Sequence, residues 1–239
     1  ALERAPADVA AALLVSRMVA HPAPQVLVDD TLAALGRLAA WWRQQFEGKV
    51  IGLTGSNGKT TVKEMLAAIC AAQGSVLSTE GNLNNHIGMP LTLLRLRQEH
   101  DYAVIEMGAN HAGEIAYLTD ICRPDVALLN NAGAANLEGF GSIDGVARAK
   151  AEIFEGLNAA GVAVINLDDD YADFWLGLNV DRTVITFGAH VDADVRLLEE
   201  QPLRLFFDGE AHEIPFQLLG RHNALNAAAA TAAALAAGL

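Results

Sequence analysis

The sequence predicts an α/β fold, with a mostly parallel sheet covered on both faces and a small antiparallel β subsheet after it. Three observations lead there. Between residues 49 and 168, short and near-continuous apolar runs alternate with stretches of helical periodicity, as expected for buried strands joined by crossover helices. The first of these runs passes into a helix through the glycine-rich turn "GSNG". From "TVITFG" (183–188) onward the alternation gives way to three strand-like segments, two of them joined by an Asp208-Gly209 turn.

Residues 10–15 and 25–29 read as short strands, with Pro22 and Pro24 breaking the chain between them. "TLAALGRLAAWWRQQF" (31–46) reads as a helix, because Leu32, Leu35, Leu38 and Trp42 recur at helical spacing. "KVIGLTG" (49–55) is a strand. The helix opening near Thr60 sets Val62, Met65, Leu66 and Ile69 on one face. "SVLST" is a strand, a Gly/Asn loop follows, and "MPLTLLRL" starts a helix. "YAVIEMGA" (102–109) is an apolar strand bearing one acid. "GEIAYLTDI" is a helix, "VALLNN" a strand, "IDGVARAKAEIFEGL" (143–157) a helix and "GVAVINLD" a strand. "ADVRLLEE", "LRLFFDG" and "HEIPFQLLG" read as the antiparallel strands, and an Ala-rich helix closes the chain. No internal repeat or low-complexity linker is visible.

With 239 residues, 52% of them hydrophobic and 19% charged, the chain can bury a substantial core in one large domain or two smaller ones. A formal net charge of -13 argues against nucleic acid, whose phosphates need a basic footprint, and against an anionic membrane surface. No apolar run reaches the length of a membrane span, and no signal-peptide layout is present, so no membrane insertion is expected. Cys70 and Cys122 share no short spacing and read as reduced, buried thiols of a cytosolic protein. The chain begins without Met and ends on the helix-forming run "TAAALAAGL", which leads us to expect a fragment.

The stretch "IGLTGSNGKTTVKEM", from Ile51, fails the pattern G-x-x-x-x-G-K-[ST], because Leu53 stands where the first glycine belongs. The loop is instead Gly55-Ser56-Asn57-Gly58-Lys59-Thr60, with Thr61 after it. Strand, glycine turn and helix in that order are the context of a P-loop-type ATPase domain. Backbone N–H groups of such a turn attract phosphate oxygens; Lys59 would reach the terminal phosphates and the Thr60 hydroxyl would bind Mg²⁺. The plain alternative is a glycine turn before a helix.

Glu106 is a carboxylate in an otherwise apolar strand, where it is costly unless paired or metal-bound. At the carboxyl end of a parallel strand it would face the phosphate loop and suit a Mg²⁺ ligand; otherwise it turns into solvent. Lys150 is one of four lysines against twelve arginines, and helical spacing puts it on the face of Val146 and Phe154. It is either a snorkelling side chain or an amine whose pKa burial lowers, able to take up CO₂ as a carbamate. Asn223 and Asn226, three apart at the start of the last helix, could read an adenine edge or cap the helix. "GNLNN" (81–85), with Asn82, Asn84 and Asn85, is either a turn or a substrate loop.

In order, "TGSNGKT", "GNLNNHIGMPLTLL", "VIEMGANHAGEI", "NNAGAANLEGFGS", "AKAEIF" and "GRHNALN" resemble the Mur ligase family, ATP-dependent amide-forming enzymes of peptidoglycan synthesis. That family's loop has the short G-x-x-G-K-[ST] form, which accounts for Leu53. "GNLNN", "EMGANHAGEI" and "LEGFGS" are most similar to the branch that adds D-Ala-D-Ala to a UDP-linked muramoyl tripeptide. The resemblance implies a domain division. Residues 1–45 are the tail of an N-terminal UDP-substrate domain, itself a small α/β domain. Residues 46–239 are most of the central ATP-binding domain, and the family's C-terminal domain is missing.

It also implies roles. Gly55 to Thr61 hold the phosphates of ATP, Thr60 and Glu106 bind Mg²⁺, Lys150 is the carbamylated lysine, and Asn223 and Asn226 take the adenine. Lys59 and Lys150 are then the catalytic pair, and Asn82, Asn84 and Asn85 lie on the substrate loop. Asn136 stands where the family usually has a histidine that helps bind a second Mg²⁺. Leu32 replaces an arginine common in "DTR" of this group, a change to which we attach no mechanism. The intact enzyme is expected in the cytoplasm as a monomer, and this piece inactive alone. The rival readings are another Mur-type or folylpolyglutamate-synthase-like ligase, and a nucleotide-binding module impaired in catalysis.

Overall fold

The structure, a computed structural model, describes residues 11–134 and 137–239. Two short parallel strands, β1 (Leu13–Val15) and β2 (Gln25–Leu27), precede helix α1 (Thr31–Arg43). Asp30 caps α1, accepting from the N–H groups of Leu32 and Ala33. Then come β3 (Lys49–Thr54), α2 (Lys59–Ala71), β4 (Val76–Ser78), α3 (Gly88–Leu93), β5 (Tyr102–Glu106), α4 (Glu114–Cys122) and β6 (Val126–Leu129). The short α5 (Leu137–Phe140) leads to α6 (Ile143–Ala151), which tightens into a 3₁₀ turn at Glu152–Gly156. β7 (Val162–Asn166), α7 (Ala172–Leu178), β8 (Thr183–Gly188), β9 (Val195–Glu200), β10 (Leu203–Phe207), β11 (Glu210–Ile214) and α8 (Arg221–Ala236) complete the chain.

Strands β3 to β11 form one sheet of nine, in the order β11-β10-β9-β8-β7-β6-β3-β5-β4. Pairing is parallel from β4 to β9 and antiparallel from β9 to β11. The antiparallel part is thus continuous with the parallel sheet, through a short pairing of β8 with β9 at Phe187 and Gly188.

Alternation along the central strands splits the core in two. Val50, Ala103, Ile105, Ala127 and Ile165 pack with Met89, Ile115, Ala147 and Trp175 from α3, α4, α6 and α7. Ile51, Val104, Val126, Leu128 and Val164 lie under α2 and α8. The alanines of α8 let it settle closely on α2 and on the strands. From β3 the chain goes out to the edge strand β4, returns through β5, then crosses to β6 on the other side of β3. That reversal opens a crevice at the carboxyl ends of β3, β5 and β6, where ligands of such sheets bind.

Some elements differ from expectation. In α1 the buried residues are Ala34, Gly36, Ala39 and Arg43, while Leu32 and Leu38 are exposed. The helix turns its small residues inward because it lies close to α4: a Cβ on Gly36 would collide with the Tyr117 hydroxyl. Arg43 fastens this contact, donating from Nε to Cys122 O at 2.8 Å and from its guanidinium to Arg123 O at 3.0 Å. The helix expected over 143–157 is α-helical only to Ala151, because the next turn packs against α4, where Thr119 Oγ1 donates to Ile153 O at 2.9 Å. The strand expected over 212–220 stops at Ile214, since Pro215 has no N–H to donate. Helix α7 was not expected; its fully buried Trp175 donates to Ala147 O at 3.2 Å and so bears on α6.

Candidate functional site

The turn between β3 and α2 owes its shape to Gly58, the N-cap of α2, at φ 77° and ψ -3°. An L side chain there would be strained, and its Cβ would strike Asn226 Oδ1. Gly58 brings no side chain to occupy the first N–H groups of α2, and those of Lys59, Thr60 and Thr61 meet no acceptor among the described residues, which leaves them to an anion. The turn is held from below. Asn131 accepts from the Asn57 N–H at 2.9 Å and donates to the Asn57 carbonyl at 3.1 Å. Asn130 Nδ2 donates to that carbonyl at 3.0 Å and to Asn226 Oδ1 at 3.1 Å. Ser56 Oγ donates to Gly133 O and accepts from Gly133 N. Asn166 Nδ2 in turn donates to Asn130 O at 2.9 Å. Lys59 folds over the turn, donating to Gly55 O at 2.7 Å, and burial lowers its pKa against the opposing pull of Glu106.

Glu106 ends β5 beside this turn and is 2% exposed. Thr60 Oγ1 donates to its Oε2 at 3.2 Å and Asn84 Nδ2 to its Oε1 at 2.7 Å. Among the described residues no cation forms an ion pair with it. A buried carboxylate held only by neutral donors, next to a hydroxyl and a phosphate-binding turn, fits a hard cation. No cluster of three or more His, Cys, Asp or Glu that could hold a metal occurs among the described residues. One carboxylate and one hydroxyl suffice for Mg²⁺, which typically takes its remaining ligands from phosphates and water.

Of the three loop asparagines, Asn84 is thus committed to Glu106. Asn85 Oδ1 accepts from the N–H groups of Ile87 and Gly88 at the start of α3, and Asn82 gives its carbonyl to the Asn84 N–H. Asn223 donates to Leu219 O at 2.8 Å and is half-buried, whereas Asn226 lies buried beneath Gly58. The two therefore differ in setting: one is at the rim of the helix start, the other under the turn.

Lys150 is 3% exposed, with its ammonium 5.7 Å from the centre of the Phe140 ring. No hydrogen-bond acceptor for it lies among the described residues. Burial, helped by the charge of Lys59, pushes its pKa down to about 8, while Glu114 and Glu152 pull the other way. Glu152 accepts from Gly113 N at 2.7 Å and Ala116 N at 3.0 Å, so the segment after Lys150 caps α4. Glu114 accepts from the N–H groups of Asn110 and His111; these bonds lower its pKa although burial raises it. A 530 Å³ cavity lies between Asn110 and His111 on one side and Leu137, Glu138 and Gly139 on the other. Asn136 lies outside the described residues.

Comparison with known proteins agrees with this geometry. The family model described as "Mur ligase middle domain" matches residues 53–234. The chain belongs to the Mur ligase family. It is 47% identical over 99% of its length to the UDP-N-acetylmuramoyl-tripeptide–D-alanyl-D-alanine ligase of Escherichia coli, covering 54% of that protein. The ligase of the same name from Bacillus subtilis is 38% identical over 93% of the chain and 50% of the relative. The crystal structure of the Acinetobacter baumannii MurF superposes with a TM-score of 0.89 at 41% identity, over 95% of this chain and 51% of that one. A MurF ligase of Thermotoga maritima, solved with ADP, gives 0.79 at 31% identity, over 92% and 53%. The chain spans about half the length of the curated Mur ligases it matches. No described helix is long and apolar enough to cross a membrane.

Several residues of this Mur ligase site receive no role from a reading by motif. Asn130 and Asn131 end the "VALLNN" run and support the turn, and Asn166 supports Asn130. Polar residues at the carboxyl end of an apolar strand were the available signal, the one that marks Glu106.

Proposed function

We propose that the whole protein is an ATP-dependent ligase that adds D-Ala-D-Ala to UDP-N-acetylmuramoyl-tripeptide through an acyl phosphate. The observation that carries the reading is Glu106, buried, held by Thr60 from the phosphate turn and by Asn84 from "GNLNN". One carboxylate thereby joins the nucleotide side of the crevice to the loop expected to meet the muramoyl peptide. The names and identities of the relatives support the substrate assignment. Residues 1–45 would belong to the UDP-substrate domain and 46–239 to the central ATP-binding domain, in a monomeric cytoplasmic enzyme.

A carboxylate is a poor electrophile, so it must first be activated by transfer of the ATP γ-phosphoryl group. Two anions have to meet, and the work lies in positioning and charge neutralisation. The first N–H groups of α2 hold the phosphates. Lys59 leaves the carbonyl of Gly55 and swings to the terminal phosphates. Thr60 and Glu106 would hold Mg²⁺, which when bound neutralises charge on the phosphates. Asn223 and Asn226 take the adenine. At a pKa of about 8, about a tenth of Lys150 is the free amine at pH 7, enough to react with CO₂ and release a proton. The resulting carbamate would be a carboxylate on a long arm, suited to a second Mg²⁺, for which the sequence has Asn136 where the family usually has a histidine. The dipeptide amine then attacks the acyl phosphate, and phosphate leaves.

Purified full-length protein, given ATP, Mg²⁺ and D-Ala-D-Ala, should release phosphate only when the tripeptide nucleotide is present. Release driven by a dipeptide nucleotide with a diamino acid would reject the assignment. Absence of any Mg²⁺-dependent acyl phosphate would favour the impaired nucleotide-binding module.

A further inference from the structure

Lys63 is a charged residue where helical periodicity calls for an apolar one. It lies on α2, one turn after Lys59, with its side chain 1% exposed. Its ammonium donates to Thr79 O at 2.7 Å and pairs with Glu64 Oε1 at 2.9 Å. Burying an ammonium is costly, and an apolar side chain would fill the volume without that cost. The function proposed above gives Lys63 no task.

Its partner shows one. Thr79 follows β4 and is itself buried. Its N–H donates to Val104 O at 3.0 Å, and its hydroxyl accepts from the Glu106 N–H at 3.0 Å. The chain then enters the loop from Glu80, whose Asn84 donates to the Glu106 carboxylate. Thr79 therefore holds Glu106 by its backbone and launches the loop that holds Glu106 by its side chain. Lys63 grips Thr79 by the one backbone group not used within the sheet. Through α2 it shares a rigid element with Lys59 and Thr60.

We infer that Lys63 is a positioning residue for the metal carboxylate. It locks the end of β4 to the phosphate-binding helix, so that Glu106 and Thr60 keep the spacing one Mg²⁺ ion requires. It touches neither substrate nor metal and acts through Thr79. The inference rests on the reading of Glu106 as a Mg²⁺ ligand.

The test is calorimetric titration of ADP into the full-length protein, at graded Mg²⁺ and in EDTA. Glu106→Gln tests the underlying reading: an unchanged Mg²⁺ midpoint would remove Glu106 from the metal and the inference with it. If Glu106→Gln does shift the midpoint, Lys63→Met should raise it about ten- to a hundredfold, the usual effect of losing an outer-shell partner. ADP affinity in EDTA should stay within about twofold, and Lys63→Arg should restore part of the loss. Thr79→Val, which keeps volume but removes the acceptor for Glu106 N–H, should shift the midpoint in the same direction and decides the matter if Lys63→Met does not fold. An unshifted midpoint in Thr79→Val, or an equal loss with and without Mg²⁺ in Lys63→Met, would overturn the inference and leave the reading of Glu106 standing.

Discussion

Replacing Lys150 by Met should stabilise the fold while it abolishes ligation. The lysine is 3% exposed and finds no acceptor among the described residues, so at neutral pH the folded state carries an ammonium that water solvates better in the unfolded chain. A fall in pKa from 10.5 to about 8 corresponds to about 3 kcal/mol of preference against the charged form. The sign follows from proton counts. Between pH 8 and 10.5 the unfolded chain binds more protons at this position than the folded one, so stability rises with pH across that window. Below pH 8 the whole penalty is present; above 10.5 it is gone. Met fills a similar volume without charge, so Lys150→Met should be more stable by about 1–3 kcal/mol at pH 7. The gain should shrink from pH 8 upward and vanish near 10.5. Urea unfolding of both proteins at several pH values, in CO₂-free buffer, measures the difference, and groups that titrate in both cancel. A pH-independent gap, or a Met variant less stable at pH 7, would refute the argument. Bicarbonate should shift the lysine protein and leave the Met variant unmoved.

Gly58→Ala should weaken ADP binding at least about tenfold, because it combines a strained positive φ, roughly 1–2 kcal/mol, with a collision at Asn226; titration calorimetry with near-normal affinity would contradict the geometry. Trp175→Ala should cost about 3–5 kcal/mol in urea unfolding, since the ring is fully buried and its N–H serves Ala147 O on the helix of Lys150. Asn226→Ala leaves the Asn130 amide short of an acceptor in the interior and should cost about 1–3 kcal/mol; Asn223→Ala, at a half-exposed site, should cost about half that or less in the same melts.

Much of this architecture could be read from the sequence, and the exceptions share a cause. Hydrophobic periodicity locates a strand or helix by the residues that want to leave water. It marks β3 to β7, whose apolar runs are near-continuous, but it shows β8 only as a change of pattern, because Thr183 and Thr186 interrupt that run. It misplaces part of the buried face of α1: Leu32 and Leu38 point outward and Ala34, Gly36 and Ala39 are buried instead, while Trp42 does pack on the core. Close approach of two helices selects small side chains, and small side chains carry little periodic signal. It passed over α7 for a similar reason, since one Trp rather than a repeating stripe anchors that helix. At the site, loop, Glu106 and Lys150 stood out as motif or as misplaced charge.

What stayed hidden was the support. Lys63 lies on a helix whose spacing sets Val62, Met65, Leu66 and Ile69 on the apolar face, yet it is more deeply buried than Met65 or Ile69. Asn130 and Asn166 lie near the ends of apolar runs and carry no signal of their own, yet they form a chain of amides from β7 to the phosphate turn. All three hold backbone carbonyls: Lys63 that of Thr79, Asn130 that of Asn57, Asn166 that of Asn130. A sequence motif names the groups that meet a ligand. The groups that fix backbone position meet only the chain itself, at partners 16 to 73 residues away, a separation no local pattern reports. Geometry at the scale of a metal–ligand bond therefore depends on residues that only the folded structure can bring to notice.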